Sequence, residues 1–208
     1  MSQVYDVILA DPPWKYSAGG KGEFRAENHY NTMTIDDMCN LVIPAAENAV
    51  LFMWVVEWIH PEQWVKVARA WGFEYRTRAW VWVKSNPSGF GFWSGIGYYT
   101  RSNPEDCNLF IRGKKPAERM DVLGLIYSPR MKHSQKPNEQ YEKIERLYPN
   151  ARKLELFARS RREGWDVFGN QVEGSIRLPT KRAVDAATPS EVGAVLHNQI
   201  SGERGGLA

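Results

Sequence analysis

The run Val4-Tyr5-Asp6-Val7-Ile8-Leu9-Ala10 breaks off at Asp11-Pro12-Pro13-Trp14. A short apolar run ended by an acidic residue and two prolines predicts a buried strand that delivers a rigid polar turn to one edge of a sheet. Downstream, Thr34-Ile35-Asp36-Asp37 reads as a helix start, with Met38, Leu41 and Val42 at helical spacing and Pro44 closing it. Val50 to Val56 is apolar throughout, the pattern of a central strand covered on both faces. Pro61 suits a first helical position, Trp64, Val67, Ala68 and Trp71 form an apolar stripe, and Gly72 ends the turn. Strands are predicted at Tyr75 to Lys84, Cys107 to Arg112, Lys153 to Phe157 and Trp165 to Phe168, and a helix at Pro137 to Tyr148. Strands alternating with helices predict an α/β fold with a mostly parallel central sheet and helices on both faces. In such sheets ligands bind beyond the carboxyl ends of the strands. Two turns qualify, the one at Asp11 and the one after Phe157.

The 208 residues suffice for one domain, placed at 1–178. Apolar density falls from about Ser175, so 179–208 is expected to be a loosely ordered tail. No apolar run approaches the roughly 18 residues of a membrane span, and no signal segment is evident, so a cytoplasmic protein is expected. Cys39 and Cys107 lack partners at metal spacing, which argues against a zinc site or a disulfide framework. The net charge is only +3, but Arg112 to Arg162 holds 14 lysines and arginines against 6 acidic residues. Such an excess suits a polyanion-binding face, although Asn138 to Arg146 also pairs Glu and Lys as a solvated helix does. The stretch Asn86 to Asn103 is rich in glycine and aromatics and lacks periodicity. It predicts a long loop that closes over nucleic acid through Phe90, Phe92, Trp93, Tyr98, Tyr99 and Arg101.

Asp11-Pro12-Pro13-Trp14 has a chemistry of its own. An amine attached to an aromatic base is a poor nucleophile because its lone pair is delocalised. A carboxylate and a backbone carbonyl that accept both amine hydrogens localise that pair and orient the nitrogen toward a methyl donor. Asp11 supplies the carboxylate and Pro12 the carbonyl, while Pro13 stiffens the turn. Trp14, with Tyr16 or Tyr30, supplies a stacking surface. Asp and Pro are also ordinary turn residues; the place at the end of an apolar strand is what favours function.

Seven segments in order resemble the adenine-N6 methyltransferases of the MT-A family, relatives of the seventy-kilodalton catalytic subunit of messenger-RNA adenosine methyltransferase. They are Asp11-Pro12-Pro13-Trp14, Tyr30-Asn31-Thr32-Met33, Leu51-Phe52-Met53-Trp54-Val55, Trp82-Val83-Lys84, Ser134-Gln135-Lys136-Pro137, Arg152-Lys153-Leu154-Glu155-Leu156-Phe157 and Gly169-Asn170-Gln171. The fifth departs from the family pattern by a glutamine at its second place. The resemblance spans about Tyr5 to Leu178. It implies a Rossmann-like methyltransferase with circularly permuted motif order and S-adenosylmethionine as donor. It also implies that Asp11 borders the cofactor, Lys136 pairs with the methionine carboxylate, and Arg159, Asn170 and Gln171 hold the ribose and nearby groups. Glu155 is expected to accept from the cofactor or to buttress the sheet. Arg161 and Arg162 are weaker candidates for ribose or phosphate, and Tyr16, Tyr30, Trp82, Lys84 and Arg101 are placed on the substrate side.

The expected function is methyl transfer to the N6 amine of adenine in a bacterial or phage DNA, with adenosine in RNA as the alternative. A base must leave the duplex to reach such a clamp. A non-catalytic nucleic-acid-binding subunit is the rival of a different class, disfavoured because Asp11, Lys136, Asn170 and Gln171 are all present. Target reading falls to loops or to a dimer partner, a second copy of the chain included.

Overall fold

Residues 7–10 alternate about the plane of a sheet, Ile8 and Ala10 facing one apolar layer and Val7 and Leu9 the other. All four are buried, as a strand with both faces covered requires. In the computed structural model, which describes residues 3–15, 32–97, 99–131 and 135–186, this strand is β1 (Tyr5–Ala10). It pairs in parallel with β2 (Ala45–Val55) and β6 (Lys153–Leu156). With β3 (Glu74–Ser85), β4 (Glu105–Arg112), β5 (Leu125–Pro129) and β7 (Trp165–Phe168) they form a seven-stranded sheet, order β5-β3-β4-β2-β1-β6-β7.

The sheet is mixed but mostly parallel. β6 and β7 pair in parallel, as do β3 and β5, whereas β4 is antiparallel to both its neighbours, β2 and β3. Six strands therefore point the same way and β4 alone runs back. Consequently β4 begins, at Glu105, on the rim where the other strands end. Strand β5 was not foreseen; its exposed Leu125, Tyr127 and Pro129 alternate with buried Ile126 and Ser128 on an edge strand, so the segment lacks the apolar density of an inner one.

Helices cover both faces. α1 (Ile35–Cys39) and α2 (Pro61–Ala70) pack Met38, Val67, Ala68 and the following Trp71 against Ile8, Leu51 and Met53. α3 (Glu139–Leu147) packs Tyr141, Ile144 and the following Tyr148 against Val7, Phe52 and Trp54. The local signals read from sequence act as expected. Thr34 Oγ1 accepts from the Asp37 amide at 3.1 Å, Pro61 opens α2, and Gly72 takes the left-handed φ of 86° that lets the chain turn into β3.

Several boundaries differ from expectation: α1 ends at Cys39 and leaves Leu41 and Val42 outside the helix, β2 begins at Ala45 rather than Val50, and α3 begins at Glu139 rather than Pro137. The strand read as Lys153 to Phe157 stops at Leu156, because Phe157 adopts φ of 62°, a left-handed backbone that ends a strand and is costly for a residue with a Cβ. Within the stretch read as a loose tail, α4 (Lys181–Ala186) is helical and its start is tied down: the Lys181 amide donates to Asn40 O at 2.7 Å and its Nζ to Ala70 O at 2.7 Å. Among the described residues no helix is long and apolar enough to cross a membrane.

Leu51 lies at the middle of β2, wholly buried against the α1 and α2 layer. Leu51→Ala should cost about 2–5 kcal/mol, read as a lower urea midpoint with an unchanged m-value. A loss below about 1 kcal/mol would contradict this packing.

Candidate active site

Asp11 follows β1 directly, so its carboxylate stands on the carboxyl rim of the sheet. The turn behind it is held by backbone bonds: the Trp14 amide donates to Pro12 O at 2.8 Å and the Met33 amide to Pro13 O at 3.0 Å. Lys136 Nζ donates to Asp11 Oδ1 at 2.8 Å and lies 3.3 Å from Glu105 Oε2, while Glu105 Oε1 accepts from Lys84 Nζ at 2.6 Å. A chain of alternating charges, Asp11, Lys136, Glu105 and Lys84, thus crosses the rim from β1 to β3. The side chain of Lys136 is only 7% exposed and that of Lys84 only 9%. Indole rings flank the ammonium groups, Trp54 at 5.5 Å from Lys136 and Trp82 and Trp93 at 5.2 and 5.3 Å from Lys84. Burial alone would push the Glu105 carboxyl up, but Lys136 and Lys84 outweigh it and hold it down at about 2. Burial likewise works against the charged form of Lys136, and Asp11 and Glu105 overcome it, raising its pKa above the usual lysine value.

On the other side of Asp11, toward β6, a cavity of about 320 Å³ opens, within the range of small-molecule sites. Asp11, Lys136, Glu155 and Arg159 bring both signs of charge to its wall, with Gln135, Gln140, Tyr141 and Phe157 beside them. Glu155 accepts from the Tyr141 hydroxyl at 3.0 and 3.1 Å through its two oxygens. Tyr141 is in turn backed by the Arg162 guanidinium, 4.8 Å from its ring, and Arg162 is fixed by a two-pronged pair with Glu145 at 2.7 and 2.8 Å. Burial pushes the Glu155 carboxyl up to about 7, the Asp11 charge adding to the rise and the Tyr141 hydroxyl opposing it. Among the described residues no group of three or more His, Cys, Asp or Glu side chains is placed to hold a metal.

The model of the MT-A70 family matches residues 5–171, the whole stretch that builds this rim and cavity. The chain belongs to the MT-A70 family. Among its relatives, the type II methyltransferase M.MunI of a Mycoplasma species is 33% identical, over 87% of this chain and 84% of that protein. An MT-A70-like N(6)-adenosine-methyltransferase of Arabidopsis thaliana is 33% identical over 84% of this chain, and the human catalytic subunit METTL3 is 31% identical over 82%. These two are longer proteins, of which the match covers 24% and 28%.

In this MT-A70 chain the expected site residues fall into distinct groups. Asp11, Lys136, Glu155 and Arg159 come together on the cavity wall, although Lys136 already has two carboxylate neighbours rather than a free ammonium. Asn170 and Gln171 do not line it; they follow β7 and are exposed. The glycine before them has a packing reason, since a Cβ on Gly169 would lie 2.1 Å from Ala158 O. Pro12 is buried and its carbonyl already accepts one backbone bond; Pro13 is half-buried and bonds Met33. Trp14 is not a stacking surface: it is 3% exposed and its indole donates to Trp54 O at 3.2 Å, because the turn tucks it into the α1 and α2 layer. Trp82 is likewise core, donating to Ser128 O at 3.3 Å. Lys84 is buried in the charge chain, and Arg101 is exposed on the β3–β4 loop beside Ser94. Arg161 and Arg162 turn away from the ligand roles considered for them, to Glu173 and Glu145. Tyr16 and Tyr30 lie outside the described residues. Glu105 was missed. The only hint available was an acidic residue just ahead of a strand; nothing local says that this strand runs backwards and brings its first residue to the rim.

Glu155 generates a pH test. Its folded pKa, about 7, is above the ordinary carboxylate value, so the stability it contributes is fully present below about pH 4 and is lost as pH rises through 7. Glu155→Gln should remove that component, so that urea unfolding across pH 4 to 8 shows a shallower decline than in the parent. Parallel profiles would rule the assignment out.

Proposed function

We propose that this protein transfers a methyl group from S-adenosylmethionine to the exocyclic N6 amine of adenine, in DNA. The observation that carries the reading is the carboxylate of Asp11, held on the carboxyl rim of the central strand with a two-sign cavity on one side and the charge chain on the other. The donor's fit rests on the composition of the cavity wall. A zwitterionic, hydroxyl-bearing ligand requires a cation, anions and amides, and Lys136, Glu155, Arg159, Gln135 and Gln140 provide them. When bound, the donor supplies an electrophilic methyl group.

The chain's own residues account for the other half of the reaction. Asp11 uses Oδ1 toward Lys136, and a carboxylate keeps further lone pairs that accept an amine hydrogen. The Pro12 carbonyl accepts the Trp14 amide and retains a second lone pair for the other amine hydrogen. Two acceptors on a turn stiffened by adjacent prolines orient the amine without ordering cost at the moment of reaction. Lys136 has three donors, of which one is given to Asp11 while Glu105 lies 3.3 Å away as an ion-pair partner, so donor capacity is left for a ligand carboxylate. Glu155 and Arg159, on the same cavity wall, would hold the donor's ribose hydroxyls.

DNA is favoured by the match that extends over most of both chains, to the type II methyltransferase; the adenosine methyltransferases are matched over about a quarter of their length. RNA is the alternative polymer. Digestion of DNA and RNA after reaction with labelled donor, followed by mass spectrometry of the nucleosides, identifies polymer, base and atom together. N6-methyladenine in DNA is the expected product, and no methylated nucleoside from either polymer would refute the reading. Asp11→Ala should lose at least about 100-fold in turnover, the scale of a lost preorganised contact, while keeping the thermal shift given by S-adenosylmethionine. Unchanged turnover would remove Asp11 from the chemistry.

A further inference from the structure

On the side of Asp11 away from the cavity, the surface carries rings that a folded chain ordinarily covers. In the β3–β4 loop Phe90 is 84% exposed and Phe92 72%, and Tyr99 is fully exposed. Tyr127 on the adjoining edge strand β5 meets Phe92 edge-on at 6.0 Å and donates its hydroxyl to Gly91 O at 3.3 Å, so the loop leans on β5 as one surface. Trp93, half-buried at its inner margin, has the Arg130 guanidinium 4.9 Å from its ring and Lys84 Nζ at 5.3 Å. Asn103 fastens the root of the loop, accepting from the Lys84 amide at 3.0 Å and donating to the carbonyls of Lys84 and Trp93. From Trp93 the contacts run inward through Lys84, Glu105 and Lys136 to Asp11. The ring surface and the acceptor are therefore joined by one unbroken chain of contacts.

Composition selects the occupant. Residues 86–97, 99–103 and 125–131 contain no aspartate or glutamate, and Arg101 and Arg130 supply cations beside the rings. Exposed ring faces with cations and no carboxylates complement a strand whose bases are unstacked: bases lie on the rings and phosphates meet the cations. A duplex hides its base faces and has no use for the rings. A second copy of this chain docked face to face would set Arg101 and Arg130 of one ring surface against those of the other, which electrostatics opposes.

We propose that this surface binds the unpaired strand flanking the target adenine, so that the protein takes its substrate single-stranded or locally opened. This rests on the methyltransferase reading for its target base and adds to it the state of the strand. The experiment uses the full chain and a fluorescein-labelled thymidine homopolymer of about 16 nucleotides, a length matched to such sites. That probe contains no adenine, so binding is scored independently of methylation. The expected outcome is that Phe90→Ala with Tyr99→Ala weakens binding by about 10-fold or more in fluorescence anisotropy. The corresponding Trp pair should keep the affinity, and the Leu pair should not restore it. Arg101→Ala should reduce the salt dependence by about one phosphate contact, and affinity for a fully paired duplex should be much less affected by the ring variants. Both rings are exposed, so an unchanged urea midpoint accompanies these losses. The proposal is overturned if the Ala pair binds the homopolymer like the parent, if the Leu pair restores binding, or if sedimentation shows a parent dimer that the Ala pair splits. Ring-dependent strand binding without methylation of any polymer would refute the enzymatic reading and sustain the surface. Methylation with ring-independent binding would do the reverse.

Discussion

Lys84, Glu105, Lys136 and Asp11 are held largely out of water at the carboxyl rim, and the neighbouring elements have to accommodate that burial. An unpaired charge in such a place would be strongly destabilising, and even a paired one repays its desolvation only when geometry and further contacts are good. Here each acid lies against a lysine and each lysine against an acid, with indole faces on the open flanks. Strands β3 and β4, the turn after β1 and the segment before α3 contribute one member each, so the four cannot meet unless the sheet is assembled in its particular order. The rim is thus both the site of the proposed chemistry and a point at which correct assembly is tested.

The same arrangement divides the surface into two working sides. Toward β6 and β7 the rim opens into the cavity with Glu155 and Arg159, where Phe157 holds a strained backbone at the turn. Toward β3 and β5 it continues through Trp93 into the exposed rings. A methyl donor and an acceptor base have to approach one point from different directions, and a carboxylate at the end of a central strand, with the cavity on one hand and the charge chain leading to the rings on the other, suits that requirement. Asp11 occupies this position because β1 lies between β2 and β6.

Much of the local structure was legible because it is written in short-range patterns. The Thr34 cap, Pro61 at a helix start, Gly72 after α2 and the apolar runs of β1 and β2 each depend on neighbours a few residues away. So did Asp11, since an acid that ends a buried strand declares its position by itself. Trp14 and Trp82 were misread as surfaces for a base. An indole ring is large and apolar, and the sequence carries no sign of whether it faces a ligand or the core; in both cases the neighbouring layer claimed it.

The sequence alone therefore determined the α/β class, the succession of most elements, the family and the acidic end of β1, because strand and helix periods and adjacent motifs are local properties of a chain. Only the tertiary structure decided that β4 runs against its neighbours, that Glu105 thereby reaches the rim, and that Lys136 is already engaged by two carboxylates. It also decided that Asn170 and Gln171 stay off the cavity wall. Strand direction and order depend on which faces pack and which edges pair between segments tens of residues apart, and no short-range pattern carries that information.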